Sequence, residues 1–481
     1  MRVLLRSSSI LFSSLRHSFP VTLRVSAPPL HSFHNSSLNQ AMELNGSVEG
    51  TSRPIPANFN FADYNCVGFD LDNTILRYQL TNMVQLEYDA LCKFLVDQKG
   101  YNADVLVKPI DFGFLQKGLT LDFEKGNTLR ISGDGTIWRA AHGTKFLSDE
   151  EIEAQYGVER IWEPATAFYK EPLATWNGPV ALKLRSLLDY FDMPAALAFA
   201  RLVDDYDKKH GGPAKVPKVP GSIWSDVLDG LGYMFNRHNF AAKDGGHYFG
   251  NLRSYPEKYL NRCPPEAIEW LKTLRKQNKK LFLLTGSHID FANYTSTYCM
   301  GPEWRELFDI VISFAKKPGF FTSNRPFLSL KNFNEGEPIT NLTSLADQNL
   351  VSVSQGNWQE LMEFLQIKLK GETPKCLYVG DNVVQDLYAP FHYTRCDTLA
   401  VIEELWGENK LEPLHPDSKV LLADKWGSYF GTKDVPSLWH NFIAKSALLT
   451  VPKFESFAEL PLDKPIPTGF YPEEPVSLAE N

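Results

Sequence analysis

With 481 residues, 43% of them apolar and 22% charged, the chain has length for two or three domains and a sizeable core, and its apolar runs fall short of the roughly 18 residues a membrane span needs. The 57 acidic against 49 basic residues argue against a polynucleotide backbone as main partner. The six cysteines (66, 92, 263, 299, 376 and 396) are scattered without a C-x-x-C pair, which suits a reducing compartment and excludes a zinc or disulfide framework.

Residues 1–42 hold Arg2, Arg6, Arg16 and Arg24, many serines, and no Asp, Glu or Lys. Arg-rich, Ser-rich and acid-poor is the composition of an organelle transit peptide. We expect mitochondrial targeting from the amphipathic arginine spacing; a chloroplast, or a cytoplasmic form begun at Met42, are the alternatives. Without this segment the body carries about −12, 45 basic residues against 57 acidic. Residues 43–59 read as a linker.

From Tyr64 the pattern changes. Cys66–Phe69 is a short apolar run of the kind a buried parallel strand uses, and it leads into Asp70 and Asp72, with Thr74 two further on. Alternation along extended chain turns both carboxylates to one side, where a cation is needed. An oxygen-only site that keeps several waters suits Mg²⁺, and a carboxylate can attack phosphorus. The spacing then predicts a helix over 82–98. Residues 118–143 read as extended chain with Ser132-Gly133-Asp134-Gly135 as a hairpin turn, and 148–240 as mostly helical, including Leu182, Leu184, Leu187, Leu188 and Phe191.

The parallel-sheet pattern resumes after Pro264-Pro265, which open a helix. Its basic end (Arg275, Lys276, Lys279, Lys280) reads as solvated. Strands are expected at 281–284, ending in Thr285-Gly286-Ser287; at 308–312, leading to Lys316-Lys317-Pro318; at 376–379, ending in Gly380-Asp381-Asn382 with Asp386 beyond; and at 398–402. A long irregular piece precedes a helix over 358–369. Four apolar strands thus end in two Asp, a Thr, a Lys and an Asp. In open α/β sheets ligands bind beyond the carboxyl ends of the strands.

In that order the motifs resemble the haloacid dehalogenase (HAD) superfamily of phosphatases. The segments FDLDNT, LLTGS, FDIVISFAKKPGFF, SQGN and YVGDNVVQD are similar to its 5′-nucleotidase domain-containing family, related to the cytosolic purine 5′-nucleotidase, over roughly residues 60–410. The resemblance implies an α/β fold: a HAD-like Rossmannoid parallel sheet, helices on both faces, and a large cap inserted between the first two motifs. The core is expected at 60–117 and 256–410, the cap at 118–255, and a C-terminal extension at 411–481.

The resemblance also implies roles. Asp70 is the nucleophile and a Mg²⁺ ligand. Asp72 is general acid and base, its backbone carbonyl on the metal. Thr285 hydrogen-bonds the phosphoryl oxygens. Lys317, chosen over Lys316 because it precedes Pro318, neutralises charge and fixes Asp70. Asp381 completes the metal site, with Asp386 further out. Trp138, Arg139, His142 and Phe168 of the cap are candidates for substrate contact, with a place in the core or at the surface as the alternative for each. The implied reaction is Mg²⁺-dependent hydrolysis of a nucleoside 5′-monophosphate or similar small phosphate ester through an aspartyl-phosphate. A catalytically weak HAD-fold scaffold and a phosphotransferase are the alternatives. The expected partner is a small phosphate ester, with no polynucleotide and no membrane; a homo-oligomer is compatible.

Overall fold

The computed structural model describes residues 53–173, 178–212 and 220–479. The transit-peptide segment and most of the linker lie outside them. Among the described residues no helix is long and apolar enough to cross a membrane.

Seven parallel strands form the centre of a ten-stranded sheet. In chain order they are β1 (Cys66–Phe69), β2 (Lys280–Leu284), β3 (Ile310–Ser313), β4 (Val351–Gln355), β5 (Cys376–Gly380), β6 (Asp397–Val401) and β7 (Leu449–Val451). Across the sheet the order is β4-β3-β2-β1-β5-β6-β7. The chain first winds to one side of β1 and later to the other, so the switch in winding direction falls at the strand that carries Asp70 and Asp72. Residues of β1, β3 and β5 are buried throughout, as expected of strands covered on both faces.

Three sequence expectations change here. The irregular piece before residue 358 contains an antiparallel hairpin, Phe327–Lys331 with Asn334–Pro338, and the fully paired strand β4. Short polar strands such as Val351-Ser-Val-Ser-Gln355 lack the apolar run that marks β1. Residues 411–481 supply β7 and the edge strand Gly469–Phe470, so they extend the central sheet. Lys279 is buried, its ammonium donating to Phe61 O and Tyr64 O at 2.7 and 2.6 Å, rather than solvated.

Residues 118–255 build a five-stranded antiparallel sheet, ordered Lys145–Phe146, Ile137–His142, Asn127–Ile131, Thr120–Asp122, Leu184–Ser186, with helices around it. The expected hairpin turn is present, Ser132 N–H donating to Thr136 O at 2.9 Å. Leu184–Ser186 is a strand, not helix, because it completes the open edge of Thr120–Asp122; a cross-chain partner overrides local periodicity.

The helix Leu80–Lys99 joins the two parts. It ends on Gly100 at φ 74°, and its first N–H groups, on Leu80 and Thr81, donate to the Asp417 carboxylate at 3.0 and 2.9 Å. That cap lies far away in sequence but answers the usual need of a helix N-terminus. Its apolar face shares one continuous core with the helices Ala195–Lys209 and Ser222–Met234 of the insertion.

Candidate active site

The site forms where β1, β2, β3 and β5 end. Asp70 N–H continues the ladder onto Val379 O at 2.8 Å, bringing its carboxylate out at the sheet's carboxyl edge. Thr285 follows β2, its N–H donating to Ile312 O at 2.9 Å. After β3 the chain turns through Phe314 and Lys316, both at positive φ, and sends Lys317 inward. After β5, the Asn382 side chain accepts from the N–H groups of Val384 and Gln385 at 3.2 and 3.0 Å and starts the helical turn Val383–Tyr388. This turn folds Asp386 back, and Asn382 N–H donates to its Oδ2 at 3.2 Å.

The Asp70, Asp381 and Asp386 carboxylates each offer an oxygen within 4.8 Å of the others, and all three are buried. One ammonium enters this cluster: Lys317 Nζ lies 2.7 Å from Asp70 Oδ1 and 2.6 Å from Asp386 Oδ1. Burial works against the Lys317 charge, but Asp386 and Asp70 overcome it and raise the ammonium pKa. Burial and the neighbouring Asp70 push the Asp381 carboxyl well above its usual range, and Asp381 Oδ2 has no hydrogen-bond partner. Thr74 Oγ1 approaches Asp381 Oδ1 at 3.5 Å. Three carboxylates against one ammonium, with an unpartnered buried oxygen and only oxygen donors, fit a hard divalent cation such as Mg²⁺.

The Asp72 carboxylate is directed elsewhere. Tyr78 OH donates to its Oδ1 at 2.6 Å and Ser287 Oγ to its Oδ2 at 2.7 Å. Burial raises its pKa, with the Tyr78 hydrogen bond as the largest opposing influence. Two carboxylates two residues apart thus occupy different environments, the arrangement that separates acid from nucleophile. The buried Thr285 hydroxyl accepts from Ser287 N–H at 3.0 Å.

The structure therefore brings together Asp70, Lys317 and Asp381, and links Asp72 to the Thr285 loop through Ser287. It places Asp386 inside the cluster and on Lys317, closer than the outer position expected of it. Lys316 points away, its ammonium 4.8 Å from the centre of the Phe314 ring. Sequence reading missed Tyr78 and Ser287 as partners of Asp72, and Tyr378, whose hydroxyl donates to Asp386 Oδ1 at 3.2 Å and sits 3.3 Å from Lys317 Nζ. Ser287 was readable as part of the Thr-Gly-Ser loop. Tyr78 and Tyr378 carry no local signal.

The four cap candidates are engaged elsewhere. Arg139 donates to Lys425 O, and the Trp138 ring lies under the Arg130 guanidinium. His142 bridges Asn127 and Asp207 at 2.8 and 2.7 Å. Phe168 packs edge-on against Trp439 and Phe442. None of these partners belongs to the acid cluster, because the strand that carries Trp138, Arg139 and His142 packs against the C-terminal segment and the insertion's own helices.

Comparison with known proteins agrees with this geometry. Residues 56–419 match the 5′ nucleotidase family. The chain is 33% identical over 467 residues to 5′-nucleotidase domain-containing protein 1 of Bos taurus, covering 88% of this chain and 98% of that protein. It is 33% identical over 466 residues to the Homo sapiens protein of that name, with the same coverage. To 5′-nucleotidase domain-containing protein 2 of Rattus norvegicus it is 27% identical over 363 residues, 73% of this chain and 59% of that protein. With the match spanning most of its length and the motif residues assembled at one sheet edge, the chain belongs to the 5′ nucleotidase family.

Proposed function

We propose that the protein is a Mg²⁺-dependent phosphoric monoester hydrolase acting on nucleoside 5′-monophosphates or similar small phosphate esters through an aspartyl-phosphate on Asp70. The observation that carries this reading is the division of labour between the two loop carboxylates. Asp70 lies in the acid cluster on Lys317, and Asp72 lies on Tyr78 and Ser287, its carboxyl raised by burial.

In this reading an ester phosphate docks with phosphorus facing Asp70 Oδ. Asp70 attacks, the bond from phosphorus to the leaving oxygen breaks, and Asp72 gives that oxygen its proton. Asp72, now ionised, takes a proton from water as the water attacks phosphorus, which releases inorganic phosphate and restores Asp70. Lys317 balances the phosphoryl charge and holds the nucleophile. The Thr285 hydroxyl uses its oxygen to accept from Ser287, and its hydrogen is free to donate to a phosphoryl oxygen. Asp70, Asp381 and the Asp72 backbone carbonyl, with Asp386 adjoining, would hold a Mg²⁺, which would supply the positive charge a phosphate needs to approach these carboxylates.

The test is a screen of small phosphate esters against the purified chain with Mg²⁺, with Ca²⁺, and with excess chelator. Hydrolysis should need Mg²⁺ and be suppressed by Ca²⁺, whose larger, looser coordination misplaces the attack. Undiminished turnover in chelator would overturn the metal assignment. No release of phosphate from any ester would favour a scaffold.

A further inference from the structure

The Asp72 carboxyl is held between two hydroxyls that come from different parts of the chain. Ser287, on the loop after β2, donates to Oδ2 at 2.7 Å, and Tyr78 donates to Oδ1 at 2.6 Å. An aspartate side chain turns about two bonds, so a single donor leaves one rotation open, whereas two donors on separate elements fix its plane. A carboxylate offers about four acceptor positions, so each oxygen keeps one for a proton in transit.

Tyr78 stands at the seam between the sheet and the insertion. Its backbone is pinned by the chain just after the insertion: Tyr78 and Leu260 form an antiparallel bridge, Gln79 N–H donates to Tyr259 O at 2.9 Å, and Asn261 Nδ2 donates to Tyr78 O at 3.1 Å. Its ring is 1% exposed and meets the Phe191 ring edge-on at 5.2 Å. Phe191 belongs to a turn of the insertion, where its N–H donates to Asp189 Oδ1 at 2.9 Å. Its ring is backed in turn by Phe235 at 6.1 Å, and Phe235 by Tyr248 at 5.1 Å, both edge-on. The path from the insertion to Asp72 is therefore two contacts long, ring on ring and hydroxyl on carboxyl. A phenylalanine at 78 would fill the same space; only the hydroxyl requires tyrosine.

Resting on the hydrolase reading above, we infer that Tyr78 is a positioning residue for Asp72, and that through it Phe191 ties the seating of the insertion to proton transfer at the leaving oxygen. With the insertion seated, the edge of Phe191 keeps the Tyr78 ring in place, and the Tyr78 hydroxyl keeps the Asp72 carboxyl in one plane. With the insertion displaced, Asp72 retains Ser287 alone and that plane is lost. The dependence falls on the proton-transfer step, because Asp70 and Lys317 are held by other partners.

The test uses two esters of similar shape in Mg²⁺: benzyl phosphate, whose alcohol needs a proton to leave, and 4-nitrophenyl phosphate, whose phenol needs little. Single-turnover release of each leaving group by the full chain isolates the step that Asp72 assists. Tyr78→Phe keeps the ring and removes the donor, so the benzyl-to-aryl rate ratio should fall about tenfold or more, part of the 10²–10⁴-fold that a general acid supplies. KM should stay as it is, since the loss lies in the chemical step. Ser287→Ala removes the other donor and should lower the same ratio; it decides the matter should Tyr78→Phe not fold. Phe191→Leu should lower the ratio by a smaller factor, and adding it to Tyr78→Phe should lower it no further, because its effect runs through the hydroxyl. Equal slowing of both esters in Tyr78→Phe, or an unchanged ratio, overturns the positioning role and leaves the hydrolase. An additive double variant, or Phe191→Leu without effect on the ratio, overturns the tie to the insertion. A wild type that cleaves only the aryl ester has no working acid and overturns the inference. One that cleaves neither overturns the hydrolase reading, and the inference with it.

Discussion

Asp70 and Asp72 sit on one short loop, yet their contacts differ. Asp70 touches Lys317 at 2.7 Å and the other acids of the cluster, whereas Asp72 is held by two hydroxyls. In the proposed reaction Asp70→Asn keeps the shape and loses the nucleophile, so no phosphoenzyme should form. Asp72→Asn keeps the nucleophile and loses proton transfer, worth about 10²–10⁴-fold on an alkyl ester. With an aryl phosphate, whose leaving group needs little protonation, Asp72→Asn should still transfer the phosphoryl group and then accumulate the aspartyl-phosphate. Rapid quench with labelled substrate and borohydride trapping reads both outcomes. Label trapped by Asp70→Asn at the wild-type level would refute the assignment.

The motif strands also depend on what packs beside their ends. Gly380 is the last residue of β5, and a Cβ built there would lie 2.3 Å from Asp386 Cβ. Asp386 cannot retreat without leaving Lys317, so Gly380→Ala should cost about 1–3 kcal/mol of stability and depress turnover far more than it depresses folding. Paired Tm and kcat measurements check this; full activity in Gly380→Ala would show that the Asp386–Lys317 contact is dispensable.

A second element-level prediction concerns Glu408, at the end of the short helix Glu404–Glu408. Its carboxyl accepts from Ser428 Oγ and Tyr429 N–H, each at 2.5 Å, and burial raises its pKa from 4.5 to about 7. The folded chain therefore holds this proton where the unfolded chain has released it. Its contribution is fully present below pH 4.5 and is lost as pH rises through about 7, on the order of 3 kcal/mol. Glu408→Gln should flatten the fall in stability between those limits, as denaturant titrations at several pH values would read. Parallel wild-type and variant curves would place the proton elsewhere.

At the scale of the molecule, the insertion and the sheet share apolar packing and polar ties. Lys117 and Glu404 form a buried ion pair at 3.0 Å, joined by Tyr190 OH at 2.8 Å, and Trp439 donates its indole N–H to Gly118 O at 3.0 Å. Leu91 and Phe94 of the joining helix press against Gly230 so closely that a Cβ there would lie 2.5 Å from Leu91 Cδ1. Excising residues 118–255 with a short linker would strip these faces and take the Tyr190 hydroxyl from the Lys117–Glu404 pair. We expect that chain to lose cooperative unfolding and near-UV dichroism rather than yield a native sheet. A cooperative transition in the excised chain would mean that the sheet stands alone.

The residues that meet at the sheet edge were readable because each ends an apolar run. Strand alternation and turn chemistry are local, so Asp70, Thr285, Lys317 and Asp381 could be placed at strand ends from their neighbours alone. Even the preference for Lys317 over Lys316 agrees with its seat between Asp70 and Asp386. What could not be read was every partner supplied from a distance. Tyr78 on Asp72, Asp417 capping Leu80, Leu184–Ser186 completing a sheet edge, and β7 arriving from the C-terminal segment are all long-range pairings. For Trp138 and Phe168 substrate contact and core packing both stayed open for that reason: an aromatic residue looks the same in sequence whether it faces a substrate or a tryptophan. The sequence by itself determined which residues are candidates for the chemistry, through their types, their spacing and the family resemblance that these carry. Only the tertiary structure decided their environments, because burial, charge and hydrogen-bond partners come from chain segments hundreds of residues apart.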